Sequence, residues 1–295
     1  MSIAVFGAGA VGCYYGAMLA RAGEAVTLIG RPALVQAVQS RGLRFEKDGR
    51  VETLSLPATT DPAAVAGADL VLVAVKSPDT EAAARAIAPH LAPGAGVLSL
   101  QNGIGNAAIL SAVLGRPALP AVVYVAVALT APGHVTHKGR GELVLGDGPG
   151  ADSVAARLMA AGVPCTVSPQ AETALWVKLT VNCALNALSA LTRQPYGTII
   201  ARPDAEPTIR AIVAECQAVA QASGVPLPAE ILAQVLRIAE TMPGQLSSTA
   251  QDLMAGKPTE IASLNGEIAR RGAALGLPVP LNRALALMVG LAERA

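Results

Sequence analysis

The sequence predicts an α/β chain in which a doubly wound parallel sheet forms the N-terminal half and an all-helical C-terminal domain follows. Three observations predict this. A Gly-x-Gly-x-x-Gly turn, Gly7 to Gly12, stands between an apolar run and a helical pattern at the start of the chain. Strand-like and helix-like segments then alternate as far as residue 168. From about residue 170 apolar residues recur only at helical spacing. The expected domains are therefore 1–168 and 169–295.

In order along the chain, "SIAVFGAG" reads as a strand entering a glycine turn, "AVGCYYGAMLARAG" as a helix closed by Gly23, and "EAVTLIG" as a second strand. "ADLVLVAV" (68–75) is a continuous apolar run of strand length, as a parallel strand buried on both faces should be. "EAAARAIAPHLAPG" follows as a helix and "GVLSLQNG" as a strand ending in a turn. Segments 119–129, 134–138 and 142–146 read as later strands, 152–161 as a helix and 163–167 as a last strand. The N-terminal half is accordingly Rossmann-like. Helical spacing then runs through 172–193, 205–223, 228–241, 246–255, 259–275 and 281–294, punctuated by Gly224, Pro226, Pro243, Gly256, Pro258 and Pro278.

Composition narrows the function classes. The chain has 295 residues, 52% of them hydrophobic, enough for two well-packed domains. A net charge of +1 without a lysine or arginine run leaves no electrostatic footprint for nucleic acid or an anionic membrane. Aromatic residues at 2% offer little on which to stack bases. Cys13, Cys165, Cys183 and Cys216 are scattered and read as small buried hydrophobes of a reducing, cytoplasmic protein. His134 and His137 by themselves do not make a zinc site, and no metal is expected. No signal peptide is read at the N-terminus, and the apolar stretch around 117–131, broken by Pro117, Pro120 and Pro132, is too short to span a bilayer.

The glycine turn carries the first chemistry. In Gly7-Ala8-Gly9-Ala10-Val11-Gly12 the first glycine allows the tight turn, the second lets the backbone approach a pyrophosphate, and the third lets helix and strand pack closely. The helix N-terminus supplies N–H donors to the anion. At the end of the second strand an NAD-preferring site carries an acid for the ribose hydroxyls, whereas this chain has Ile29-Gly30-Arg31. Arg31 can clamp a 2′-phosphate, which favours NADP(H); the competing reading is a solvated loop arginine. Ligands of such sheets bind outside the carboxyl ends of the strands, where Lys76 and Asn102 fall, near the nicotinamide end of the cofactor. Lys76 alone would read as a solvated strand-end lysine; its coincidence with Asn102 at the next strand end brings the functional reading level with that one.

The second chemistry lies in "LWVKLTVNCALN" (175–186). Lys178, Asn182 and Asn186 are four apart, so on a helix turning about 100° per residue they share one face, and Ser189 returns to the same stripe. A lysine in apolar surroundings loses hydration, which lowers its pKa and suits it to act as a general acid. The alternative is a lysine reaching the surface beside two helix–helix amides. A further polar cluster, "QLSSTAQDLMAGKPTEIASLNGE" (245–267), places Glu260 just inside a helix that Pro258 opens, with Ser247, Ser248 and Asp252 on the preceding segment. Caps and a surface turn would explain several of these residues, though not all.

The pieces "VFGAGAVG", "LVAVK", "LQNGIG", "LWVKLTVNCALNALSAL", "SSTAQDL" and "KPTEI…LNG" together resemble the ketopantoate reductase (2-dehydropantoate 2-reductase) family, in the family's order and over essentially the whole chain. LWxKLxxNCxxN is the most specific of them and GxGxxG the least. The resemblance implies an NADPH-dependent enzyme of pantothenate biosynthesis with Lys178 as general acid and Glu260 holding a substrate hydroxyl. It implies Asn102, Asn182, Asn186 and Ser248 as substrate contacts, Lys76 and Asn102 near the nicotinamide ribose, and Arg31 on the 2′-phosphate. Two positions depart from the family pattern. Ala262 replaces the aspartate of TEID, and Gln245 stands where an asparagine often precedes the second serine by three. Both bear on substrate identity more than on chemistry. A reductase of a different 2-oxo acid and a non-catalytic NADP-binding sensor are the alternatives. The expected partner is a small 2-oxo acid, with no nucleic acid and no membrane, and a homodimer is left open.

Overall fold

Strand β1 (Ser2–Phe6) pairs in parallel with β2 (Ala25–Ile29) on one side and with β6 (Leu70–Val73) on the other. The chain leaves β1 through helix α1 (Ala10–Arg21), returns as β2, and only later crosses to β6. This reversal is the topological switch point of a doubly wound sheet. In the computed structural model, which describes residues 2–293, the chain divides into two units, Met1–Ala171 and Glu172–Ala295.

The first unit holds a ten-stranded sheet. Its parallel part runs β5 (Ala58–Thr59), β2, β1, β6, β7 (Gly96–Ser99), β8 (Leu119–Ala131). Side chains alternate between two cores. Ile3, Val5, Leu70, Leu72 and Leu98 pack with α1, whereas Ala4, Val71, Val73 and Val97 pack with residues of α3 (Thr80–Ile87) and α4 (Asn106–Leu114). A strand covered on both faces must be apolar at every position, which is why β6 reads LVLV.

The sheet is not parallel throughout, as the alternation had suggested. Beyond β8 it continues antiparallel into β9 (His134–Gly146), with β10 (Cys165–Ser168) and β3 (Leu43–Lys47) parallel to β9 and β4 (Arg50–Leu54) closing the edge. The three short strands expected over 119–146 are two long ones. Gly139, Arg140 and Gly141 all have positive φ (148°, 60° and 138°), so β9 bulges there instead of ending. The β3–β4 hairpin, unread in the sequence, turns at Asp48-Gly49, both left-handed. Helices α2 (Pro32–Arg41) and α5 (Ala151–Ala160) complete the unit.

The second unit is helical: α6 (Ala171–Thr192), α7 (Tyr196–Ile200), α8 (Ala205–Ala222), α9 (Ile231–Thr241), α10 (Ser248–Met254), α11 (Asn265–Leu275) and α12 (Pro280–Ala292). Trp176, Leu179, Cys183 and Ala187 on α6 are buried, as are Ile209, Ile212, Val213 and Cys216 on α8. Among the described helices α6 alone is long and apolar enough to cross a membrane, but 61% of its apolar window is buried within the protein. That burial, and the polar stripe it carries, make it a core helix.

One helix departs from expectation where it matters for function. The segment 259–275 is not continuous: a 3₁₀ turn at Ile261–Ser263 precedes α11, and Leu264 between them has non-helical torsions (φ −107°, ψ −103°). Thr259, whose N–H and hydroxyl both donate to Glu293, anchors the entry and in turn accepts from Ile261 N at 3.2 Å. Glu260 therefore leads a single tight turn and has no α-helix N-terminus behind it.

Candidate active site

In the first unit the register fixes where the loops emerge. Phe6 lies beside Ile29 and Val73, and Val73 beside Ser99, so β2, β1, β6 and β7 end at one level. The glycine turn, Arg31, Lys76 and Asn102 all follow these carboxyl ends.

The three glycines act for different reasons. Gly7 has φ +100°, and a Cβ there would lie 2.5 Å from Val75 N in the chain leaving β6. A Cβ at Gly12 would lie 2.4 Å from Gly7 O. Both are demanded by the fold. Gly9 is not: its φ is ordinary, and the nearest atom to an added Cβ is Gly7 O at 4.0 Å. It is the N-terminal cap residue of α1, which has no side-chain cap and no acid in its first turn. The first N–H groups of a helix have no intrahelical acceptor, and a phosphate brought to them would use the space that a side chain at residue 9 would fill. The turn thus fits a dinucleotide pyrophosphate.

Arg31 precedes Pro32 of α2 and is exposed; its carbonyl accepts from Leu34 N and Val35 N, both at 3.1 Å. Among the described residues no carboxylate pairs with its guanidinium, and no acid stands at the end of β2. Lys76 and Asn102 are half-buried in the loops after β6 and β7. Those loops are joined by a polar group that the sequence reading missed: Ser77, Thr80, Gln101 and Asn106, of which the last three are buried. The only sequence signal was a glutamine and an asparagine within an otherwise apolar strand end.

In the second unit the stripe on α6 divides. Lys178 and Asn182 are half-buried, while Asn186 is 2% exposed and Ser189 is fully buried. Ser189 serves structure, its hydroxyl donating to Gln194 O at 2.8 Å and accepting from Ser247 N at 3.2 Å. Ser247 caps α10, accepting from Ala250 N at 3.0 Å. Ser248 beside it is exposed, and Asn186 Nδ2 reaches both Ser248 Oγ (3.5 Å) and Thr249 Oγ1 (3.4 Å). Asn186 Oδ1 accepts from Tyr196, a partner that nothing in the local sequence announced. The structure therefore joins Asn186 to Ser248. Glu260, half-buried, sits in the segment whose following helix is tied to α6: Asn265 Nδ2 donates to Cys183 O and to Asn282 Oδ1, each at 3.0 Å. The four cysteines are free and buried.

Comparison with known proteins adds independent findings. The family description "Ketopantoate reductase PanE/ApbA" matches residues 3–150, and its C-terminal counterpart matches 170–293. A 2-dehydropantoate 2-reductase of Halobacterium salinarum is 37% identical, covering 100% of this chain and 99% of the relative. The crystal structure of a PanE/ApbA family ketopantoate reductase from Ralstonia eutropha JMP134 superposes with a TM-score of 0.96 at 53% identity, over 100% of this chain and 99% of that one. D-mandelate dehydrogenase, in a ternary structure with NADH and anilino(oxo)acetate, superposes with a TM-score of 0.93 at 27% identity, again over 100% and 99%.

Proposed function

The chain belongs to the ketopantoate reductase family, oxidoreductases that work with a nicotinamide cofactor, and on that premise we propose that it reduces 2-dehydropantoate to (R)-pantoate with NADPH, in pantothenate biosynthesis. The observation that carries the reading is the α6 face, where an ammonium and an amide stay half-open while the next amide is bonded to an exposed serine hydroxyl.

When bound, NADPH supplies the hydride that reaches C2 of the 2-oxo acid. Lys178 gives the carbonyl oxygen a proton, so that C=O becomes CH–OH, and regains a proton from solvent. Asn102, Asn182 and Ser248 hydrogen-bond the substrate without adding charge, while Asn186, the substrate contact expected from the sequence, is 2% exposed and acts through the Ser248 hydroxyl it holds. Glu260 accepts from the 4-hydroxyl of ketopantoate. A carboxylate close to the substrate's own carboxylate is unfavourable unless a donor lies between, and that hydroxyl is the donor. On the cofactor, the helix end behind Gly9 takes the pyrophosphate, Arg31 the 2′-phosphate, and Lys76 and Asn102 the nicotinamide ribose. The four buried thiols accord with work in the reducing cytoplasm.

A second reading, a reductase of another 2-oxo acid, draws support from the likeness to D-mandelate dehydrogenase. NADPH oxidation with ketopantoate, 2-oxoisovalerate and the 2-oxo acid of mandelate separates the two. A site built to bond a hydroxyl rejects the analogue lacking it by about 10⁴. Ketopantoate should therefore lead in kcat/KM, and Glu260→Ala should harm it most. Equal rates with ketopantoate and 2-oxoisovalerate would hand the assignment to the second reading.

A further inference from the structure

The loops carrying Lys76 and Asn102 are tied together by a polar network. Gln101 Nε2 donates to Val75 O at 3.1 Å and to Thr80 Oγ1 at 2.6 Å, and Gln101 Oε1 accepts from Ser99 Oγ at 3.0 Å. The Thr80 hydroxyl lies 2.8 Å from Ser77 O and 2.9 Å from Asn106 Oδ1, the two acceptors open to its single proton. Asn106 Nδ2 donates to Ser77 Oγ at 3.1 Å and to Asn102 O at 2.8 Å, and Ser77 Oγ donates to Asn102 O at 2.8 Å.

Both N–H groups of each amide are thus used; one bond links the amides through Thr80 and the other three end on two short stretches. One is the pair flanking Lys76, through the carbonyl of Val75 and the hydroxyl of Ser77. The other is the carbonyl of Asn102 itself, which accepts twice. Thr80 and Asn106 are the first residues of α3 and α4, yet neither helix has a side-chain cap, so these side chains face each other across the loops. Thr80, Ser99, Gln101 and Asn106 are 1%, 3%, 5% and 6% exposed, too enclosed to touch a ligand themselves. A buried polar cluster costs more to leave half-satisfied than an apolar one of the same shape, so fully bonded it holds one geometry.

We infer that Gln101, Thr80 and Asn106 are positioning residues for the nicotinamide end of the cofactor, locking the backbone on which Lys76 and Asn102 are presented. The inference rests on the proposed placement of those two residues at the nicotinamide ribose. The adenosine end is held elsewhere, by the β1–α1 turn and Arg31, so the network should act on one half of the cofactor only.

The test is calorimetric titration of the full-length chain with NADPH and with adenosine 2′,5′-bisphosphate, which carries the 2′-phosphate but no nicotinamide. Gln101→Met and Thr80→Val should each weaken NADPH by about tenfold, the loss of roughly one well-made bond. The bisphosphate should stay within about twofold, and Thr80→Ser, which keeps the hydroxyl, should restore NADPH. Should Gln101→Met fail to fold, the Thr80 pair decides. Equal loss of both ligands would reduce the network to ordinary structural support, and unchanged NADPH affinity would also overturn the inference. A wild-type chain that bound neither ligand would instead overturn the cofactor assignment.

Discussion

The Tyr196 hydroxyl lies 3.2 Å from Oδ1 of Asn186, ten residues away along the chain, and that bond orients the amide so that Nδ2 faces Ser248 and Thr249. Burial pushes the phenol up to about 12, so it remains a donor throughout the neutral range.

Tyr196→Phe removes that donor and leaves a buried carbonyl oxygen unpaired, at a cost of about 1 kcal/mol in stability. KM for the 2-oxo acid should rise several-fold, with KM for NADPH little changed. An unaltered substrate KM in steady-state assays would mean that Asn186 and Ser248 do not hold the substrate.

Lys178→Ala should lower kcat by roughly 10²–10⁴ if the lysine supplies only proton transfer. NADPH affinity should hardly move, since the residue serves the reacting end. Turnover within a few-fold of wild type would return Lys178 to the role of a lysine reaching for solvent.

Arg31→Ala should weaken NADPH by about ten- to a hundredfold, because charge-assisted contacts contribute roughly 1.5–3 kcal/mol. NADH should be nearly unaffected. The comparison matters because a structural neighbour holds NADH. Equal losses for the two cofactors would remove Arg31 from the 2′-phosphate.

Arg157 donates through Nε and Nη2 to the two carboxylate oxygens of Glu24 at 2.5 and 2.7 Å, in a pair whose side chains are 15% and 21% exposed. The guanidinium holds the Glu24 carboxyl below its ordinary range. A depressed carboxyl stabilises the fold above its unfolded value, and that contribution fades as pH falls through the folded value. Glu24→Gln should lower Tm by about 5 °C near neutral pH. The gap should close in acid, below the ordinary glutamate value of about 4.3. Melting curves with the same gap at both pH values would show that the pair does not set acid stability.

What the sequence determined by itself is what depends on neighbours a few residues apart. Gly12 is demanded by a strand–turn–helix whose backbone approaches itself within six residues, Gly7 by the φ of +100° in that turn with Val75 adding a distant constraint, and the face shared by Lys178, Asn182 and Asn186 follows from helical periodicity alone. Arg31 was legible because the end of β2 is a local feature of an apolar run. The tertiary structure decided everything whose partners lie far along the chain. Asn106 reaches Ser77 across 29 residues, so the network behind Lys76 and Asn102 has no local pattern. Thr259 is held by Glu293 across 34 residues, and this anchoring, invisible in the run after Pro258, replaces the expected helix start at Glu260 with a single turn. Likewise β3 joins β9 across some 90 residues, matching Arg44 with His134, and the glycine bulge that reads as a strand end is carried through because β8 pairs on both sides of it. Periodicity reports which face of an element is apolar; which polar atoms find each other is settled only when distant segments pack and every buried donor must be satisfied.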